Sequence, residues 1–171
     1  MIQMEDGSSM PLWGLLILLL LLWLNGIFYG FSAAVRNISE SDTQKRADEG
    51  DENAKKLLAL IDKPAQFVNA IPLIVMASGI CFGTFLVPWV VDAFHPYIKH
   101  TPALVLVLAV GVILLAGLGI LTFRRVGTYH PEKYAYRYLK LVNFWVMVLN
   151  PVTMFITWIA RLAAVPFGVE I

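Results

Sequence analysis

Four stretches of this sequence carry no Asp, Glu, Lys or Arg: Gly7 to Val35, Pro64 to Val91, His100 to Phe123 and Leu141 to Ala160. Each reaches the roughly 20 residues that a helix needs to cross about 30 Å of hydrocarbon. In lipid, a helix satisfies its own backbone, so charge-free runs of this length dictate helices rather than strands. Only 15% of the 171 residues are charged, against roughly 25% in soluble domains. With a mean hydropathy of +0.71, the chain reads as a single all-α integral membrane domain in a lipid bilayer.

The same inventory excludes several function classes. The lone cysteine, Cys81, lies inside an apolar run, which leaves no disulfide framework and no thiolate metal site. His95, His100 and His130 stand near the ends of apolar runs with no cysteine beside them, which argues against zinc chemistry. Thirteen basic against twelve acidic residues give no polybasic footprint for nucleic acid. No phosphate-binding glycine loop, nucleophile elbow or nucleophile–base pair is present, so neither an enzyme nor an organic cofactor is expected. The N-terminus is no secretory signal, because Glu5 and Asp6 make it acidic and the apolar run after it is too long.

The first span is expected from about residue 11 to 35, with Trp13 as an interfacial anchor. Leucine and isoleucine fill its first half, whereas Asn25, Gly26, Tyr29, Gly30 and Ser32 give the second half a polar, small-residue face. Residues 37–63 are the hydrophilic block and are expected to form a helical hairpin. Ser41 to Gln44 fits a capping box, and the first helix should end at Gly50. Asp51 is placed to cap a second helix with an apolar stripe of Ala54, Leu57, Leu58 and Ile61 and an i,i+4 pair of Glu52 with Lys56. A second span is expected at about 65–91, kinked by Pro72, and a third at about 101–123, ending at Arg124 and Arg125. Leu141 to Ala160 is long enough to span. Asn143, Asn150 and Pro151 also suit an interfacial helix with Trp145 and Trp158 at headgroup depth.

Basic residues orient the chain. The N-terminal tail has none and the second loop has only Lys99, whereas six fall from Arg36 to Lys63, at and within the hairpin block, and five between residues 124 and 140. The positive-inside rule then places the N-terminus outside and the hairpin and C-terminus in the cytoplasm of a plasma-membrane protein. Two small-xxx-small patterns, Gly26 with Gly30 and Gly79 with Gly83, mark helix-packing faces. Asn25, Ser32 and Ser78 are polar groups at membrane depth, and Asn25 in particular needs a partner there.

The run from Asn25 to Val35, NGIFYGFSAAV, resembles the N-G-x-F-S-G-x-E-x-A-L signature of the CNNM/CorC transmembrane domain. Ala47, Gly50, Ala54 and Leu58 are similar to that family's hairpin rhythm. Lys63 to Phe67 is similar to the opening of its second helix, and His130 to Ala135 to its N-P-E-x-x-A stretch. Pro151 and the closing Phe167 to Glu170 resemble the end of that domain. The resemblance implies three transmembrane helices, a cytoplasmic hairpin at 37–63 and juxtamembrane belt helices over 131–168. It turns 141–160 from a fourth span into a belt helix pair bent at Pro151. It further implies a dimer and magnesium transport; the family usually continues into a cytoplasmic nucleotide-sensing CBS pair, and the present sequence stops before it.

On the resemblance, Ser32, Ser78, Gly79 and Gly119 are the positions expected to meet Mg2+, with Asn25, Tyr29 and Arg124 at motif or cavity positions. Here the motif serine is Tyr29 and the motif glutamate is Ser32. In the G-E-x-x-P-K stretch, the acid is Ile120, the proline Phe123 and the lysine Arg124. Mg2+ takes six oxygens at about 2.0–2.1 Å, usually including a carboxylate, and no span contains one. Two readings follow: an ion-transport domain with a degenerate site, or a non-transporting structural or regulatory subunit that pairs with a ligand-complete relative.

Overall fold

A computed structural model describes residues 12–94 and 101–164. Among them all regular structure is helical. Helix α1 is Leu12–Asn37, α2 is Glu40–Asp48 and α3 is Glu52–Asp62. Helix α4 covers Ala65–Phe94, α5 Thr101–Tyr129 and α6 Pro131–Ala164. The N-terminal tail, the loop with His95, Lys99 and His100, and the closing Phe167 to Glu170 stretch lie outside the described residues.

Four helices, rather than the three expected, are long and apolar enough to cross a membrane: Leu12–Asn37, Ala65–Phe94, Pro102–Tyr129 and Pro131–Ile159. The fourth differs from expectation in form as well. It is one continuous helix through Pro151, not a bent pair. A proline removes a single N–H, and neighbouring groups can re-satisfy the ladder in an apolar helix.

Pro72 acts earlier along the chain than its own position suggests. Helix α4 breaks into a turn at Asn69, between Ala65–Val68 and Ala70–Cys81. The ring of Pro72 thereby sits in the first turn of the longer segment, where a missing N–H costs least. Farther on, Phe82–Leu86 widens into a π-helical segment. Helix α5 continues through Arg124 and Arg125 to Tyr129, beyond the expected end at Phe123.

The hairpin forms with three local shifts. Ser39, not Ser41, caps α2, accepting from the Asp42 N–H at 3.4 Å. Ser41 instead faces the Ser39 hydroxyl at 3.1 Å. Gly50 takes φ +99°, a conformation that L side chains rarely adopt, and so turns the chain into α3. Asp51 caps α3 as expected, accepting from Asn53 and Ala54. Lys55 rather than Lys56 reaches Glu52, at 2.9 Å, and this hydrogen bond holds the Glu52 carboxyl below the usual carboxylate range. The apolar stripe centres on Ala54, Leu57 and Leu60, with Leu58 at its edge.

That stripe lies on the bundle. Leu57 and Leu60 join Phe67, Tyr134, Ala135 and Leu139 in one core with Leu24, Phe28 and Phe31 of α1. Phe31 and Phe67 meet edge to face at 5.4 Å between ring centres. Arg46 of α2 reaches Glu132 of α6 at 3.2 Å and lies over the Tyr136 ring. By contrast, Leu106, Val107, Ile113, Leu114 and Leu118 of α5 are exposed, as a lipid-facing wall requires.

Helix α6 lies beside the hairpin end of the bundle at both of its halves. Glu132 near its start meets Arg46 of the hairpin, while Asn150, Thr153 and Trp158 share a cleft with Ala65, Gln66 and Asn69 at the start of α4.

Candidate functional site

Helices α1 and α5 cross through glycine. A Cβ on Gly26 would overlap the Phe123 ring, and one on Gly30 would overlap the Tyr134 hydroxyl. On the opposite helix, a Cβ on Gly127 would overlap the Gly30 carbonyl oxygen. Apolar helices gain little from burial in lipid, so this backbone approach supplies van der Waals contact that larger residues would deny. Gly26 and Gly30 therefore lie at close helix contacts within the chain. Nothing within the described residues lies within 4 Å of a Cβ placed on Gly79 or Gly83, and the same holds for Gly119.

Below this crossing, Asn25 and Ser78 join α1 to α4. The Asn25 amide donates to the Ser78 hydroxyl at 2.9 Å, and that hydroxyl donates to the Ile74 carbonyl at 2.7 Å. Both residues are buried, and the Asn25 Oδ1 has no partner. An amide at this depth needs a partner, and Ser78 provides one while keeping the i−4 bond usual for a helical serine.

Toward the hairpin side, α1, α4 and α5 leave a cleft of about 380 Å³. Its polar wall is Tyr29, Ser32, Arg36 and Asn37 of α1 with Arg124 and Thr128 of α5, and its apolar wall includes Val68, Ile71 and Pro72 of α4. Of the residues named from sequence, the cleft gathers Tyr29, Ser32 and Arg124. Ser78, Gly79 and Gly119 do not line it.

The profile of the cyclin M transmembrane N-terminal domain (CNNM) matches residues 15–170. This chain belongs to the CNNM family. A search of curated proteins gave no match.

The chemistry of this CNNM domain's cleft is cationic. Two guanidinium groups, Arg36 and Arg124, face it, and none of its lining residues is Asp or Glu. Among the described residues, no three His, Cys, Asp or Glu side chains gather where a metal could sit. The nearest approach to a cation ligand set is the unpartnered Asn25 Oδ1 beside the Ser78 hydroxyl, two neutral oxygens. A dehydrated divalent ion there would lack a neutralising charge.

Sequence reasoning counted Arg36 only toward orientation, met Tyr134 only within the His130 to Ala135 stretch, and gave Asn37, Gly127 and Thr128 no place in a site. The spacing of Phe123 and Gly127, and of Arg124 and Thr128, at i,i+4 holds the missing signal. It places one packing stripe and one polar stripe on α5 beyond the assumed helix end.

Proposed function

We propose that this CNNM domain is an ion-transport domain with a degenerate ion site. The observation that supports this reading is the Asn25–Ser78 contact. It brings an unpartnered acceptor oxygen to the meeting of two long apolar helices, in a chain whose family implies ion transport. In this reading α1, α4 and α5 span a plasma membrane, and the N-terminus is outside. Helix α6 then lies along the cytoplasmic interface, because its two halves touch the hairpin and the start of α4 beside it. Gly79, Gly83 and Gly119, where a Cβ would meet nothing within 4 Å, are open to a second copy or a related chain.

A second reading is favoured by Arg36 and Arg124 in the cleft. Two fixed positive charges with no carboxylate oppose cation entry, which suits a non-transporting subunit beside a ligand-complete relative. Thermal unfolding of the purified full chain against Mg2+, Ca2+ and Na+ separates the two. Stabilisation by Mg2+ at millimolar concentration, lost in Ser78→Ala, supports divalent transport. An intact, monodisperse protein with no Mg2+ response excludes it, and a stoichiometric membrane partner then supports the subunit reading.

A further inference from the structure

We infer that the cleft between α1, α4 and α5 is a binding site for a phosphate-bearing anion. Six of its lining residues are polar, and all of them offer donors: Tyr29, Ser32, Arg36, Asn37, Arg124 and Thr128. Among the described residues, neither Arg36 nor Arg124 has a carboxylate within 4.0 Å, whereas Arg46 pairs with Glu132. The two cleft arginines thus hold their charge without an internal counter-ion. Thr128 and Asn37 use donors locally, on the carbonyls of Arg124 and Ala33. The hydroxyls of Tyr29 and Ser32 make no hydrogen bond among the described residues, which leaves two neutral donors beside two guanidinium forks.

Guanidinium matches phosphate oxygens in a bidentate fork, and a charge-assisted bond of this kind is about twice as strong as a neutral one. The opposite wall is built from Val68, Ile71 and Pro72. A cleft polar on one side and apolar on the other suits a phosphate carried at the boundary between headgroups and hydrocarbon. A second basic cleft, lined by His130, Lys133 and Arg137, opens on another side of α5. The anion-binding character therefore extends around the hairpin end of this helix. Basic pockets between helices on the cytoplasmic side are the usual seats of anionic headgroups. The inference does not depend on whether the domain transports ions.

The experiment uses the full chain in two arms. In the first, protein in phosphatidylcholine nanodiscs is compared with protein in nanodiscs that also contain phosphatidylglycerol. In the second, inorganic phosphate is titrated into protein in neutral detergent. Thermal midpoint and retained phosphate-bearing molecules, counted by native mass spectrometry, are read in both. A saturable shift with phosphatidylglycerol assigns a lipid headgroup, and one with inorganic phosphate assigns a free anion.

The ligand concentration for half-saturation should rise about fivefold in Arg36→Gln or Arg124→Gln and about thirtyfold in the double variant, from about 1 kcal/mol per arginine. The hairpin control Lys45→Gln with Lys56→Gln removes the same charge and should leave the shift intact. The single variants carry the test if the double variant does not fold. No shift in either arm, or equal loss in the hairpin control, overturns the site.

Discussion

Replacing Gly127 by alanine adds one methyl group at the tightest point of the bundle. The new Cβ would overlap the Gly30 carbonyl oxygen and stand 2.9 Å from its carbon and 3.2 Å from its Cα. Carbon atoms pack at about 3.5–4.0 Å, so α1 and α5 must separate by roughly 0.5–1 Å. No rotamer change relieves this, because the obstructing atoms are backbone. A gap of that size forfeits a quarter to a half of each contact's well along the crossing. Overpacking of this type costs about 1–3 kcal/mol. At about 2–4 °C per kcal/mol for a chain of this size, Gly127→Ala should lower the midpoint by about 2–12 °C in a detergent thermal melt.

Gly119→Ala is the matched control on the same helix, since nothing lies within 4 Å of its Cβ. Its midpoint should stay within about 2 °C of the parent, the change expected for a substitution costing under 0.5 kcal/mol. The Gly30–Gly127 approach also sets the spacing of Ser32 and Tyr29 from Arg124 and Thr128, so cleft binding should weaken in step with stability. An unchanged midpoint in Gly127→Ala, or a larger loss in Gly119→Ala, refutes the close crossing.

Three further outcomes are expected. A double-mutant cycle of Asn25→Ala and Ser78→Ala, followed by thermal unfolding, should give a coupling of about 0.6–1.7 kcal/mol, the range of side-chain hydrogen bonds inside membranes. Leu57→Ala removes a fully buried side chain of α3 and should cost about 2–5 kcal/mol. Limited proteolysis between α2 and α3 should then accelerate while the spans stay protected. Glu52 has a lowered carboxyl pKa, caused first by its hydrogen bond to Lys55 and then by that charge. A depressed folded-state pKa means the contribution is present above the unfolded value and fades as pH falls through the folded one. Acid titration of Glu52→Gln should lack that local change in hairpin protection, measured by hydrogen exchange.

How much of this was readable from residues alone depends on what each residue answers to. Absence of charge is a local property that lipid enforces, so the four charge-free runs were visible, although the resemblance turned the last of them into a bent belt pair. The Asp51 cap and the Gly50 turn were visible for the same reason: each follows from its neighbours' chemistry. Ser39 was missed because Ser41 has an equally good capping sequence, and the choice depends on where α1 releases the chain at Asn37. The continuity of α6 through Pro151 was hidden, since a proline's effect turns on what else can bond the freed carbonyls. Gly79 and Gly26 carry the same pattern, yet only Gly26 meets a neighbour; the difference lies in Phe123, on a helix almost 100 positions away. Arg36 and Arg124 were each legible as membrane-edge cations, but their sharing of one cleft is a tertiary fact that spacing cannot encode.

The π-helical segment Phe82–Leu86 bears on how this chain is compared with its relatives. One surplus residue in a helix advances every later side chain by about 100° around the axis. Ala70–Cys81 and Val87–Phe94 therefore follow two different phases, and the widened turn between them delivers Phe85 against Gly14, where a Cβ would stand 2.6 Å from the ring. In an alignment, the corresponding change in a relative would be recorded as a one-residue gap and dismissed as noise. It would instead be a rotation of the last eight residues of the helix, Val87–Phe94, written as length rather than as composition.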